Sequence, residues 1–321
     1  MDHQRRVLRW GAAAIVLAVA LRLLSAGFFQ QIVCFMRQPS VASLFLYLET
    51  GRLLRFEPMA EEEAPPGPTE SAEAEKPSRQ EELTFTKEDL VAVQNHSSYR
   101  PELFGLLTQP LSWEIGSDGP AVLIIHTHAT ETYTGADISY SGSYRTLDEA
   151  DNMVSIGAEI ARVLRAGGIG VLHDKTLHDY PSYNNAYSNA RETIQTYLQK
   201  YPSIRMVLDV HRDASGDAGG EFITSATAGG QSCAQLMPVV GTRSTHWQEN
   251  LSLALKLAAL LERTNPGICR PVDLRTERFN MDLSVGSMLI EVGATGNTRE
   301  EAIIAANAFA QAVLELIGAQ P

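Results

Sequence analysis

The sequence predicts an α/β protein, a mostly parallel sheet with helices on both faces, preceded by a transmembrane helix and an extended linker. Three observations predict it. Short, wholly apolar runs such as 122–125 (VLII) read as strands buried on both faces. Those runs alternate with segments of helical spacing, which implies parallel pairing under a cover of helices. Ahead of residue 84 lie two stretches that cannot belong to such a core.

The first of these is 10–29, apolar except for Arg22. As a helix rising about 1.5 Å per residue, twenty residues cover about 30 Å, the thickness of a bilayer core. Arg5, Arg6 and Arg9 precede it, so the N-terminus is expected in the cytoplasm and the rest outside. The segment is longer than the ~7–15 apolar residues of a cleaved signal. A cleavage site at Ser25-Ala26-Gly27 is the alternative, and either way the remainder is exported. Residues 31–56 form a membrane-proximal segment, with 41–48 (VASLFLYL) reading as a short helix on the outer leaflet. Residues 57–83 are the second stretch, rich in Glu, Pro, Ala and Ser, too polar to offset the entropy of ordering and expected as a tether.

The chain carries a net charge of −12, unevenly spread. Residues 1–56 carry +5 and 57–82 carry −7, leaving −10 for 83–321. An acidic folded part excludes a phosphate-backbone partner, because nucleic-acid binding needs basic surfaces. Cys34, Cys233 and Cys269 form no metal-ligand spacing and no disulfide framework, with a Cys233–Cys269 bridge left open.

The remaining domain, 84–321, opens on a stretch to 119 without an assignable pattern. Strands follow at 122–125, 169–172, 206–210, 237–240 and 287–290, with helices at 153–164, 188–198 and 247–261. A capping box at Thr298 and Glu301 starts the last helix, which runs to Ile317.

In such sheets ligands bind beyond the carboxyl ends of the strands. His126-Thr127-His128-Ala129-Thr130-Glu131 follows the first strand, His211-Arg212-Asp213 follows Val210, and Glu291 follows Ile290. Singly, each is ordinary: strand-end histidines are often structural, and H-x-x-E arises by chance. Their coincidence at three strand ends points to metal-assisted hydrolysis. Zinc takes imidazole and carboxylate donors tetrahedrally and keeps one position open for water, while a separate carboxylate takes the proton. His128, Glu131 and His211 are the expected ligands and Glu291 the expected base. Asp209 and Asp213 flank His211 as candidates to orient its ring. His173 and His178 are expected as solvated loop residues, and His96 and His246 as surface ones. The stretch 179–187 (DYPSYNNAY) suits stacking on a glycan or peptide, though a plain loop would read the same.

Residues 123–133 (LIIHTHATETY), 209–214 (DVHRDA) and 289–293 (LIEVG) resemble the stage II sporulation protein P family. So do 173–183 (HDKTLHDYPSY), Gly241 with Asn250, and Asn297-Thr298, the resemblance covering about residues 115–317. It implies a zinc-dependent N-acetylmuramoyl-L-alanine amidase of the amidase-3 fold, cleaving between the muramic lactyl group and L-alanine of peptidoglycan. It also implies endopeptidase action on cross-links, septal wall remodelling during engulfment, and the sporulation proteins D and M as partners. The amidase-3 pattern sets its acidic ligand farther along the chain, so Asp148, Glu149 and Asn152 rival Glu131. His126 likewise rivals His128, which the resemblance favours because its offset from the strand is similar to the amidase-3 pattern. Two other readings stay open: a silent wall-binding scaffold, and a zinc carboxypeptidase using Arg212, Arg275 or Arg278 to receive a terminal carboxylate.

Overall fold

A computed structural model of the protein describes residues 83–116, 119–136, 144–214 and 222–318. The expected anchor, the membrane-proximal helix and nearly all of the linker lie outside the described residues. Every element below belongs to one unit, Lys76–Pro321.

Nine strands are present among the described residues: β1 (Val93–Asn95), β2 (Val122–Ile125), β3 (Val171–His173), β4 (Met206–Asp213), β5 (Ala226–Ala228), β6 (Gln231–Cys233), β7 (Leu236–Gly241), β8 (Val272–Arg275) and β9 (Gly286–Ala294). Seven of them form one sheet, ordered β1-β8-β7-β9-β4-β2-β3, while β5 and β6 make a separate hairpin. All neighbours in the main sheet are parallel except β7 and β9. The sheet therefore has two halves running in opposite directions. The carboxyl ends of β2, β3, β4 and β9 share one edge, where the histidines lie.

Alternation along β2 divides the core. Val122 and Ile124 join the larger cluster, with Ile156, Ile160 and Leu164 of α2 (Met153–Ala166). Leu123 and Ile125 join a smaller one with Ala190 and Ile194 of α3 (Ala186–Lys200). Successive side chains of a strand point to opposite faces, so helices cover both. In α3 the buried residues Ala186, Ala190 and Ile194 recur every fourth position, the stripe of a one-sided helix.

The expected helix at 247–261 extends further, as α4 (Trp247–Thr264), and is buried from Asn250 to Leu261. It is covered by the region that had no assignable pattern, where α1 (Leu103–Thr108) packs on it. The last helix, α5 (Arg299–Gly318), begins as expected: Glu301 N donates to Thr298 Oγ1 (3.2 Å) and Thr298 N to Glu301 Oε2 (3.0 Å). Its length and composition would suffice to cross a bilayer. Here it is a core helix, with Ala302, Ala306, Phe309 and Val313 buried against its neighbours. Cys233 and Cys269 are free thiols.

One buried cation ties α1 to the domain. Lys256 of α4 donates from Nζ to the carbonyls of Leu106 (3.0 Å) and Leu107 and to Ser252 Oγ (3.2 Å). Burial pulls its ammonium down to about 8 from 10.5. The folded chain therefore binds fewer protons than the unfolded chain between those two values, and stability rises with pH across that window. The expected gain is up to about 3 kcal/mol. Lys256→Met should flatten the pH dependence of Tm between pH 8 and 10, which thermal melts would show.

Candidate metal centre

The loop after β2 is clamped at two points. Thr127 donates from its backbone N (2.8 Å) and its Oγ1 (2.6 Å) to the two oxygens of Asp209 on β4. Three residues on, Thr130 makes the same pair of bonds to Asp179, from N (3.2 Å) and Oγ1 (2.5 Å). Between the clamps the chain turns, with Glu131 N donating to His128 O (3.2 Å). His128 and Glu131 thereby converge, His128 Nδ1 lying 3.5 Å from Glu131 Oε1.

His211 arrives from β4. Its Nδ1 lies 3.5 Å from Glu131 Oε2, and its Nε2 is 2.9 Å from Asp209 Oδ1. Asp209 and His211 are two apart on a strand and so share a face. Asp209 meets its far nitrogen at ion-pair distance, though outside hydrogen-bond geometry, and Nδ1 is left facing the cluster, with the carboxylate placed as one that would orient a metal-binding imidazole. One donor atom from each of His128, Glu131 and His211 lies within 4.8 Å of the others. Each imidazole nitrogen lies 3.5 Å from one oxygen of Glu131, His128 from Oε1 and His211 from Oε2, so the three side chains are close enough to share one ion. Donor types and spacing therefore fit zinc.

Glu291 stands in register with His211 on the adjoining strand. Among the described residues its Oε2 is buried without a hydrogen-bond partner. Gly293, at φ +70°, turns the chain just beyond it, and a Cβ there would press on Ala234 (2.7 Å). Asn297 holds that turn by accepting from Ala294 N (3.0 Å) and Thr224 N (3.2 Å).

The charges sort these carboxylates into two kinds. Burial alone would raise Glu131, but the Arg212 charge and hydrogen bonds from His128 and His211 hold it well below the usual carboxylate range. Burial likewise would lower His211, yet Asp209 and Glu131 hold it well above an ordinary imidazole. A proton on His211 thus sits where a cation is favoured. At Glu291 the charges of His211 and Arg212 offset only part of the cost: burial, with Glu131 and Asp213 nearby, pushes it up to about 8. One carboxylate is thus held ionised beside the two imidazoles, while the other holds its proton more tightly than an ordinary carboxyl.

The rivals lie elsewhere. His126 points away from the cluster, its Nδ1 donating to Val210 O (2.9 Å) and its Nε2 meeting His173 Nε2 (2.9 Å) beneath Gly157, where a Cβ would collide with both rings. Asn152 caps α2, accepting from Val154 N (3.0 Å). Asp148 accepts from Ala150 N (2.9 Å), and exposed Glu149 pairs with Lys175 (3.3 Å). His178 is not the solvated residue expected: it is buried, donating from Nδ1 to His126 O (2.9 Å) and accepting at Nε2 from Thr193 Oγ1 (3.0 Å). His173 is likewise half-buried rather than solvated. Arg212 spends its guanidinium on Thr132 O (2.8 Å) and Tyr144 O (2.9 Å), and Arg275 sits 3.5 Å from both Asp273 and Glu277. Arg278 is exposed.

Sequence reasoning missed Arg145 and Asp179, which meet at 2.6 Å beside Glu131. It did single out the aromatic stretch that contains Asp179. From that stretch Tyr183 stacks on His128 (centroids 4.6 Å apart, 20° between planes), and Tyr187 meets it edge-on at 5.5 Å. Tyr183 is half exposed, a ring presented to solvent beside the cluster.

Among known proteins, the chain is 29% identical over 212 residues to stage II sporulation protein P of Bacillus subtilis (strain 168), covering 62% of this chain and 51% of that one. It thus spans about half the length of that curated relative. Solved structures it resembles include the N-acetylmuramoyl-L-alanine amidase AmiC2 of Nostoc punctiforme, at 14% identity and a TM-score of 0.40, over 63% of this chain and 98% of that one. Another is the CwlD amidase from Clostridioides difficile, solved in complex with the GerS lipoprotein, at 12% identity and a TM-score of 0.41, over 62% and 100%. The family model of stage II sporulation protein P matches residues 43–314, and with so much of its length matched the chain belongs to that family.

Proposed function

We propose that the protein is a zinc-dependent peptidoglycan hydrolase, an N-acetylmuramoyl-L-alanine amidase that also cuts peptide cross-links. The observation that carries the reading is the convergence of His128, Glu131 and His211 with a partnerless Glu291 oxygen on the neighbouring strand. Family membership supports the setting: wall remodelling at the septum during engulfment, with sporulation proteins D and M as partners. Residues 10–29 would anchor the domain at the outer face of the cytoplasmic membrane, where its substrate is.

His128, Glu131 and His211 would hold the zinc, which when bound supplies the Lewis acidity that acidifies water and polarises an amide carbonyl. The chain supplies the rest. Asp209, 2.9 Å from Nε2, would set the His211 ring by its charge. Glu291 receives the proton of the attacking water at its buried oxygen and returns it to the departing amide nitrogen, which needs a group able to exist in both forms near neutral pH. Tyr183 offers the face on which a sugar or a peptide plane packs. A carboxypeptidase would need a cation free to take a chain end; Arg212 is committed to backbone carbonyls, which leaves that role to exposed Arg278.

Digestion of purified wall by the full chain in detergent tests the reading. New L-alanine amino ends on released peptides are expected, with cross-link cleavage alongside, and both should stop with a chelator and return with zinc. Release of single C-terminal residues would make it a carboxypeptidase. Binding to wall with no new ends would make it a scaffold, and unimpaired hydrolysis in metal-free buffer would overturn the zinc chemistry.

A further inference from the structure

Arg145 follows Tyr144, a residue at φ +50°, and its backbone bridges to that of Glu131. Among the described residues its guanidinium has three polar neighbours. NH1 donates to Asp179 Oδ2 (2.6 Å) and to Thr130 Oγ1 (3.0 Å), and NH2 reaches Glu131 Oε1 (3.4 Å). Its central carbon also lies 4.7 Å from the centroid of Tyr183, the ring that stacks on His128. One cation thus touches one expected ligand directly and another through an aromatic ring.

Resting on the metal reading above, we infer that Arg145, fixed by Asp179, is a positioning residue that holds Glu131 and His128 in ligating geometry. Two roles compete for an arginine beside an active carboxylate: receiving a substrate carboxylate, or orienting the ligand. Exposure and saturation decide between them. The Arg145 side chain is only 11% exposed, and Asp179 is wholly buried, its charge met by Thr130 and Arg145. A buried carboxylate of this kind is costly unless paired, so the pair is held in place and its cation is not free for an incoming anion. A planar guanidinium can also serve two carboxylates at fixed angles, which an ammonium cannot do. A free Glu131 carboxylate would rotate about its last bond. With Oε1 held by Arg145 and Oε2 by the backbone N of Arg212 (3.3 Å), it presents one oxygen to each imidazole.

The test measures zinc affinity of the metal-free full chain by competition with a chromophoric chelator, beside kcat and KM on purified wall. Loss of an outer partner typically costs about 10–100-fold in metal affinity or activity. Arg145→Met and Asp179→Asn should each weaken zinc binding by about that factor and lower kcat with KM little changed. The double variant should be no worse than Arg145→Met alone, because the two residues act as one device. Arg145→Lys should recover part of the loss. Should Arg145→Met fail to fold by circular dichroism, the lysine and Asp179→Asn variants carry the same comparison. Zinc affinity and kcat within about twofold of wild type would overturn the inference while leaving the metal site standing. So would a rise in KM alone, which would make Arg145 a substrate contact. A wild-type chain that takes up no zinc would overturn the metal reading and this inference with it.

Discussion

Replacing His211 with alanine is expected to remove bound zinc and hydrolytic activity together. The substitution deletes one of three protein donors, and two donors do not make a closed structural or catalytic site for this ion. Activity should fall to the background of the metal-free chain, and elemental analysis should find zinc well below one per chain. His211→Ala also strips Asp209 of its imidazole, leaving a buried carboxylate held by Thr127 alone. Breaking such a pair costs about 3–5 kcal/mol when nothing else compensates. The two bonds from Thr127 compensate in part, so the variant should melt earlier yet still fold. His126→Ala separates the two candidate ligands. His126 faces His173 and Val210 O, so this variant should keep its zinc and lose only stability. The reverse pattern, zinc retained without His211 and lost without His126, would place the centre on the other side of the β2 loop.

Much of the site could be read from the chain because strand ends in a parallel sheet are predictable places. The mainly apolar runs of β2, β4 and β9 lead to His126–His128, His211 and Glu291, where the carboxyl-end rule says to look, although β4 and β9 continue to Asp213 and Ala294 and so hold His211 and Glu291 within them. The pairing of Asp209 with His211 was also legible, since residues two apart on a strand share a face. What the spacing could not decide was the acidic ligand. Glu131 was the expected ligand and 148, 149 and 152 its rivals; the Thr127–Asp209 and Thr130–Asp179 clamps set the loop path that brings Glu131, and not those rivals, to the two histidines. Those clamps join residues about fifty and eighty positions apart and leave no local pattern.

Arg145 and Asp179 were missed for the same reason: each looks like an ordinary loop charge until the fold brings them to 2.6 Å. His178 was misread because a histidine among polar neighbours reads as solvated, whereas here it donates to a backbone carbonyl under α3. Reversal of the sheet at β7 was not foreseen either, as a wholly buried strand carries no sign of its direction. β1 (VQN) and β8 (VDLR) did not register because polar residues interrupt them, so neither reads as an apolar run. The motif residues away from the site prove structural. Asn250 ties α4 to the start of β9 by accepting from Ser287 N (3.0 Å) and donating to Met281 O (3.1 Å).

Glu291→Gln separates proton transfer from metal binding. The amide keeps the shape of the side chain and an oxygen, but it cannot take a proton from water. General-base catalysis is worth about 10²–10⁴-fold, so kcat should drop by that much while zinc stays near one per chain. Stability should move the other way. In the metal-free chain Glu291 is raised to about 8 from 4.5 by burial, so the folded state holds a proton that the unfolded state has released. Between those values wild-type stability therefore falls as pH rises, and it recovers below the lower one. Glutamine has no proton to lose, so the variant should gain on wild type progressively through that window and match it in acid. Melts of the two metal-free chains at pH 4 and pH 8 would show the crossover. A variant that sheds its zinc would make Glu291 a ligand. One that remains fully active would leave water activation to some other group, with the orphaned oxygen on β9 unexplained by the chemistry.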